Sequence, residues 1–476
     1  MLNRLNKLSF FETFRNISTY FSAQVAIQAL GLISLPVYTY FLSTEEYGIV
    51  NVYISYSLVF AILLSLNLHG AVSRYYYEEK EDFKSFMGTT FVSTFVLFFL
   101  SSLVILFFKE EISEVINLPE RVIPWLLGFS FLGIIYSIYL QVFVPQKKSK
   151  LVSWTQVIMH YFKFGLIVVG LFLMTENTYM GKIKGEFIAM SLVCVFLLYK
   201  IIPYIKLTFN KEHLNYIVNY SFPLIPFILS GYILHSFDQF YINAKVGQSE
   251  AGLYSFAYKI GMLLAGFITA LLNGSNPDYY KWMNASDHKA AGMQVVSLTK
   301  LLVLATAFLV LYAIDLGTLL ARNDDFHEGL TIVPVIVGGY FLFGLAQFYN
   351  RGIYFKKKNI YLTVIVMIAV MINIALNFYY IPIYGYMAAA YTTLLSYLVM
   401  FAVTLFVTEV VLKLPSLPGK RIFMLSLYLI LLVIIYYKFV PQNALDPVGI
   451  IFKTLLFGIL AIILYGRHLK NLMQHK

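Results

Sequence analysis

The sequence predicts an all-α, polytopic membrane protein with about 14 transmembrane helices. Hydrophobic residues make up 59% of the 476 residues and charged residues only 12%, whereas soluble domains contain about 25% charged residues. Long apolar runs recur along the chain, and at about 1.5 Å per residue they can cross a hydrocarbon core of about 30 Å. The net charge of +11 comes mainly from short loops between these runs, where basic residues act as topology signals. We therefore expect membrane lipids, and no nucleic acid, around this chain.

Charged and turn residues divide the apolar runs into fourteen predicted spans. The first six are 16–41, 47–70, 86–108, 122–144, 151–174 and 184–203. The next six are 216–245, 250–273, 296–320, 330–354, 360–381 and 386–408. The last two are 421–440 and 449–466. Tyr and Trp residues gather near many of these edges, which suits rings at a membrane interface.

The basic residues predict the orientation. Of the 35 Lys and Arg residues, 24 lie in loops or toward span ends on the N-terminal side of the membrane, 8 lie in loops or toward span ends on the opposite side, and Lys163, Lys259 and Lys300 fall deeper inside spans. The positive-inside rule then places both termini of this multi-pass chain on the cytoplasmic side of the membrane. We expect the N-terminal segment to be retained, because its apolar run exceeds a signal-peptide core and lacks a small-residue cleavage site.

A weak internal repeat predicts two lobes. A shift of 204 residues places Gly48 on Gly252 and Glu46 on Glu250, and this shift equals six spans. Six is an even number, so the halves would share one orientation, as in transporters built from parallel repeats. We predict a six-helix lobe at 1–210, a second six-helix lobe at 211–412, and two additional helices with a cytoplasmic tail at 413–476.

Three segments carry a resemblance to a known family. They are AIQALGLISLPVYTYFLSTEEYGIVNVY (26–53), FDQFYINAKVGQSEAGLYSFAYKI (237–260) and GYMAAAYTT (385–393). With this layout, the chain resembles the Wzx-type O-antigen and capsule repeat-unit flippases. These form the polysaccharide transporter branch of the multidrug/oligosaccharidyl-lipid/polysaccharide (MOP, MATE-like) superfamily.

The resemblance implies a translocase for an undecaprenyl-diphosphate-linked oligosaccharide, in the cytoplasmic membrane of a bacterium. It would move this cargo from the inner to the outer leaflet by alternating access between two lobes. An H⁺ or Na⁺ gradient would supply the energy, no cofactor would be needed, and polysaccharide polymerase machinery would be a contact partner.

Ionisable residues inside spans are the first candidates for the site, because they usually face a partner or a watery cavity. Lys163 lies near the middle of span five and would meet the diphosphate as a point charge, or pair with an acidic group. Asp238 and Lys259 lie at similar depths on neighbouring spans, so they form either a structural salt bridge or a transport site. His235 precedes Asp238 by three residues, and the two would form the ion-coupling site.

Polar residues elsewhere complete the predicted substrate-binding set of Lys163, Lys259, Gln24, Gln28, Arg74 and Arg351. Gln24 and Gln28 are i, i+4 neighbours inside span one, where they would face a cavity or hydrogen-bond another helix. Arg74 and Arg351 lie near cytoplasmic span ends. They would contact the diphosphate there or serve only as topology signals.

Missing motifs restrict the function classes. The sequence contains no GxxxxGK[ST] loop, HExxH, zinc spacing or GxSxG, so we predict no ATP hydrolysis, no metal site, no catalytic residues and no enzyme activity. The nearest alternative is a MATE-like multidrug or cation antiporter that uses Asp238. A membrane oligosaccharide polymerase or ligase is more remote, because the outer loops are short and poor in Arg.

Overall fold

The computed structural model describes residues 2–78, 81–414, 418–439 and 443–474. Within these ranges, the side chains of residues 22–466 are described, except those of residues 227, 230, 231 and 233–235. Every regular element in the described ranges is a helix. The predicted all-α class is therefore confirmed.

The first ten α-helices run from the N-terminus to the middle of the chain. They are α1 Leu2–Phe41, α2 Thr44–Ser65, α3 Val72–Glu78, α4 Phe83–Phe107, α5 Lys109–Ile116, α6 Ile123–Phe143, α7 Ser149–Leu173, α8 Thr178–Ile201, α9 Lys211–Ser221 and α10 Ile225–Lys245. The next nine are α11 Gln248–Gly261, α12 Leu263–Asn284, α13 His288–Leu311, α14 Ala313–Leu320, α15 Val333–Phe355, α16 Asn359–Tyr384, α17 Tyr386–Phe406, α18 Gly419–Phe439 and α19 Pro447–Gln474. A π-helical turn, Val407–Val411, extends α17.

Thirteen helical stretches among the described residues are long and apolar enough to cross a membrane. They coincide with the predicted spans except the seventh, 216–245. That segment contains the amphipathic helix α9, a 3₁₀ turn at Phe222–Leu224 and then α10, and several α10 side chains lie outside the described set. Pro223 and Pro226 occupy the starts of the turn and of α10, since proline is tolerated in a first helical turn but interrupts a helix interior.

The chain divides into two compact units, Met1–Gly252 and Leu253–Lys476, with the division inside α11. The first unit has a core of fully buried side chains that includes Phe86, Ile134 and Tyr139. The second has a core that includes Ala346, Ala369 and Tyr397. The predicted lobe boundaries at 210 and 412 remain a prediction.

The starts of α2 and α11 form a tight contact within the first unit. A Cβ on Gly48 would overlap the carbonyl of Gln248, and a Cβ on Gly252 would overlap the carbonyl of Thr44. The hydroxyls of Thr44 and Ser249 lie 2.7 Å apart beside it. The 204-residue shift relates Thr44 to Gln248 and Gly48 to Gly252, so the contact is reciprocal, as a two-fold relation produces.

Candidate functional site

Helices α7 and α8 approach each other closely because glycines line their contact. A Cβ on Gly181 would overlap the carbonyl of Gly170, and a Cβ on Gly185 would overlap the carbonyl of Leu166. Small residues allow such backbone contact between membrane helices. The GKIKG sequence (181–185) thus packs against α7 within this chain, and it brings the following Glu186 beside α7.

This packing assembles a lysine–glutamate cluster, which consists of Lys163, Lys182, Glu186, Tyr38 and Tyr47. Lys163 Nζ lies 2.8 Å from Glu186 Oε1, with 24% of the lysine side chain and 3% of the glutamate side chain exposed. Lys182 Nζ lies 4.0 Å from the ring centroid of Tyr38 and 5.5 Å from that of Tyr47. Glu186 Oε2 is buried without a hydrogen-bond partner among the described atoms. The cluster therefore holds two cations and one carboxylate.

The lysine–glutamate cluster lies inside the helical bundle of the first unit. At about 1.5 Å per residue, Lys163 is about 15 Å from the α7 end at Leu173, and Glu186 is about 12 Å from the α8 start at Thr178. His160, one turn before Lys163, places Nδ1 2.8 Å from the carbonyl of Gln156.

The second unit contains a buried guanidinium at Arg351, which is 2% exposed. Its Nη1 donates to Ser275 Oγ and Gln294 Oε1, each at 3.3 Å, and its Cζ lies 4.2 Å from the ring centroid of Tyr279. Within the part of the chain that is described, no carboxylate forms an ion pair with Arg351, and Nη2 has no hydrogen-bond partner. The guanidinium thus has a buried donor without a hydrogen-bond partner among the described atoms.

An apolar groove with a volume of about 790 Å³ lies in the same unit. Helices α13, α15, α17 and α18 line it, with side chains that include Phe341, Leu345, Leu398, Phe401, Leu429 and Val433. Tyr349, two residues before Arg351 on α15, also lines it, as does Glu409 from the π-helical turn. The volume and lining suit a hydrocarbon chain.

Arg74, Gln24 and Gln28 lie on exposed surfaces of the first unit. Arg74 pairs with Glu78, whose other carboxylate oxygen accepts a hydrogen bond from Tyr216 at 2.6 Å. Hydrogen bonds from the Tyr216 hydroxyl and the Arg74 guanidinium lower the pKa of Glu78. The Arg74–Glu78 ion pair therefore persists at any pH above this lowered pKa, and it is lost as the pH falls through it.

The predicted partners Asp238 and Lys259 fall in different units. Asp238 is buried on α10 in the first unit, and Lys259 is half-buried on α11 in the second. The side chain of His235 lies outside the described residues. The charge pair and the ion-coupling site therefore both remain predictions. Beside Asp238, Gln239 Oε1 accepts a hydrogen bond from Ser55 at 3.0 Å, which ties α10 to α2.

Sequence reasoning missed the buried ion pair between Asp315 on α14 and Lys453 on α19. Lys453 Nζ lies 2.6 Å from Asp315 Oδ2, with side-chain exposures of 1% and 6%, and the Leu445 amide donates to Asp315 Oδ1 at 2.8 Å. Both charges fall inside predicted spans, 296–320 and 449–466, and that position was the available signal. Glu186, also inside a predicted span, gave the same signal.

Comparisons with known proteins agree with this fold. A family model described as polysaccharide biosynthesis protein matches residues 13–275. A Haemophilus influenzae protein of the Lsg locus is 22% identical over 285 residues, which cover 57% of this chain and 66% of that protein.

Two solved structures share the fold. The lipid II flippase MurJ, in an inward closed conformation, has a TM-score of 0.76 and 17% identity, covering 94% of this chain and 99% of that one. An inward-facing multidrug resistance MATE family transporter of the MOP superfamily has a TM-score of 0.57 and 12% identity, covering 87% and 94%. The family match spans more than half of the 476 residues, and it confirms the resemblance seen in the sequence. This chain belongs to the polysaccharide biosynthesis protein family, with the fold of MurJ and MATE transporters.

Proposed function

We propose that this chain flips an undecaprenyl-diphosphate-linked oligosaccharide repeat unit from the inner to the outer leaflet of the bacterial cytoplasmic membrane. The product would supply surface polysaccharide biosynthesis. The observation that carries the proposal is the buried Arg351 with its unused donor, in a unit that also contains an apolar groove. This combination suits a lipid with a diphosphate headgroup.

Each chemical part of such a substrate has a matching feature in one of the two units. The diphosphate suits Arg351, whose planar guanidinium can form bidentate contacts, and it suits Lys163 as a compact point charge. The isoprenoid chain suits the apolar groove, because burying apolar surface is favourable at about 25 cal/mol per Å². Gln24 and Gln28 offer amide groups to sugar hydroxyls.

Alternating access between the two predicted lobes would carry the headgroup across the membrane. The number of basic residues in the loops supports cytoplasmic termini, so the lysine–glutamate cluster would lie in the outer half of the membrane and Arg351 in the inner half. An H⁺ or Na⁺ gradient acting through Asp238 and His235 would then reset the transporter. Polysaccharide polymerase machinery in contact with this chain would receive the product.

A MATE-like cation antiporter is the second candidate function. The observation that favours it is the structural similarity to a multidrug resistance MATE transporter, together with the buried carboxylate of Asp238. In that function Asp238 would bind the cationic cargo or the coupling ion, and Lys163 and Arg351 would be dispensable.

The first test is a deletion strain of the host bacterium. We expect its lipid extract to accumulate prenyl-diphosphate-linked oligosaccharide and its surface-polysaccharide blot to lose signal, with both restored by the gene. Lys163→Ala should fail to restore export while the protein still inserts, whereas Lys150→Ala, an exposed lysine on the same helix, should restore it. If the deletion strain instead has unchanged surface polysaccharide and a new sensitivity to cationic drugs, the flippase function is refuted and the antiporter function is favoured.

A further inference from the structure

We propose that the apolar groove of the second unit binds phosphatidylethanolamine, a phospholipid with a primary-amine headgroup, and that Glu409 recognises its ammonium. An acyl chain would occupy the groove, and the phosphate would meet the exposed Lys420 and Arg421. This site goes beyond the proposed function, because its ligand is a phospholipid of the membrane and not the cargo. Both lipids need the same groove for a hydrocarbon chain, so they would compete for it.

The lining of the groove changes from apolar to acidic along one helix. The lining residues on α17 and its π-helical turn are spaced by three or four residues, so they lie on one helical face. They are Leu394, Leu398, Phe401, Leu405 and Glu409. Glu409, the last of them, is the only charged residue in the described lining of the groove. A π-helical turn often marks a functional position, and here it carries this carboxylate.

The carboxylate of Glu409 favours a cationic group at this end of the groove. Its side chain is exposed, and among the described residues no cation forms an ion pair with it. A carboxylate accepts charge-assisted hydrogen bonds from an ammonium group, whereas it repels the like charge of a diphosphate. The headgroup that binds beside Glu409 is therefore not that of the diphosphate cargo.

The start of α18 supplies the complement for a phosphate. Gly419, its first residue, lines the groove, and Lys420 and Arg421 follow directly with exposed side chains. A carboxylate in the lining and two cations beside it match a zwitterionic headgroup. Phosphatidylglycerol has the phosphate but no ammonium, and the quaternary ammonium of phosphatidylcholine has no N–H to donate. The primary ammonium of phosphatidylethanolamine meets both requirements.

The groove is open to lipid on the α18 side. Phe423, Ile430 and Ile434 line it, and each is more than half exposed, so a lipid chain can enter sideways. The lining part of α18 runs from Gly419 to Ile434, which is about 22 Å at about 1.5 Å per residue. An acyl chain of one leaflet covers about half of a hydrocarbon core of about 30 Å. The groove is therefore long enough for the whole chain.

The test titrates three phospholipids with identical acyl chains against the delipidated full chain in detergent, and native mass spectrometry measures the bound fraction. Wild type should prefer phosphatidylethanolamine to phosphatidylcholine and phosphatidylglycerol. Glu409→Gln should weaken phosphatidylethanolamine binding about fivefold, the upper value for an exposed ion pair, and should not weaken phosphatidylglycerol binding. Asp278→Asn removes another exposed carboxylate, one that does not line the groove, and it should change neither affinity.

A second variant tests the position of the acyl chain. Gly338 lines the groove on α15, and a Cβ there would meet only Leu394 Cδ1 within 4 Å, at 3.6 Å. Gly338→Leu should therefore place its side chain in the groove. We expect it to weaken the binding of all three phospholipids equally and to leave the headgroup preference intact. Unchanged affinities in this variant would show that the acyl chain binds elsewhere and would overturn the proposal.

The headgroup comparison decides the role of Glu409. A wild-type chain without a preference for phosphatidylethanolamine would overturn the proposal, as would an equal loss of all three phospholipids in Glu409→Gln. Where Glu409→Gln is not monodisperse in size-exclusion chromatography, Glu409→Asp keeps the carboxylate and should keep the preference. The flippase is refuted separately, by normal surface polysaccharide in the deletion strain, and that result would leave the lipid preference of the purified chain unchanged.

Discussion

The Asp315–Lys453 pair should contribute strongly to the stability of the second unit. Lys453→Met keeps most of the side-chain length but removes the ammonium 2.6 Å from Asp315. Asp315 would then be a buried carboxylate supported only by the amide of Leu445 among its described contacts. Removing one partner of a buried ion pair typically costs about 3–5 kcal/mol, so we expect the free energy of unfolding to fall by about this amount.

A double-mutant comparison isolates this contribution. We expect Asp315→Leu/Lys453→Met to be at least as stable as Lys453→Met, because it leaves no unpaired charge, and replacing a whole buried pair is often neutral. Reversible denaturant unfolding in mixed micelles measures both values, with Lys438→Met as the control because Lys438 is exposed on α18. A Lys453→Met loss no larger than that of the control would refute the reasoning.

Three further changes test other parts of the structure. Gly48→Val should destabilise the first unit by about 1–3 kcal/mol, because its side chain would overlap the carbonyl of Gln248; an unchanged melting temperature would contradict this contact. Arg351→Lys should strongly reduce surface polysaccharide at normal protein level, since lysine lacks the planar fork; full export would remove Arg351 from the site. If Asp238 and Lys259 form a structural bridge, Asp238→Ala and Lys259→Ala should each reduce export on the surface-polysaccharide blot, and exchanging the two residues should restore much of it. Continued loss in the exchanged variant would instead support Asp238 as an ion site.

The helices were predictable because lipid imposes a local rule. Every backbone polar group in a bilayer core must be satisfied within its own helix, so long apolar runs such as 360–381 and 386–408 locate α16 and α17 without tertiary information. The seventh span was less predictable, because Pro223 divides it and α9 is amphipathic. In the sequence, the apolar residues of α9 and α10 follow one another closely, so the two helices are read as one long apolar run.

The contacts of the site were not predictable in the same way. Lys163 was identifiable as a charge in mid-span, but its partner Glu186 is 23 residues away on the next helix. Their meeting depends on the close approach at Gly170, Gly181 and Gly185. Asp315 and Lys453 are 138 positions apart. Hydropathy gives the depth of such charges but not the rotation of their helices, and rotation decides which charges meet.

The balance of buried charge connects these contacts to the cargo. Asp315 and Lys453 neutralise each other in one closed pair, so they offer no net attraction to a solute. Arg351 differs, because no carboxylate among the described residues forms an ion pair with it. An anionic headgroup can offset that positive charge, whereas a cationic drug would increase it. The same surplus that is costly in an empty membrane protein is thus the feature that would make a diphosphate lipid a better cargo than a cation.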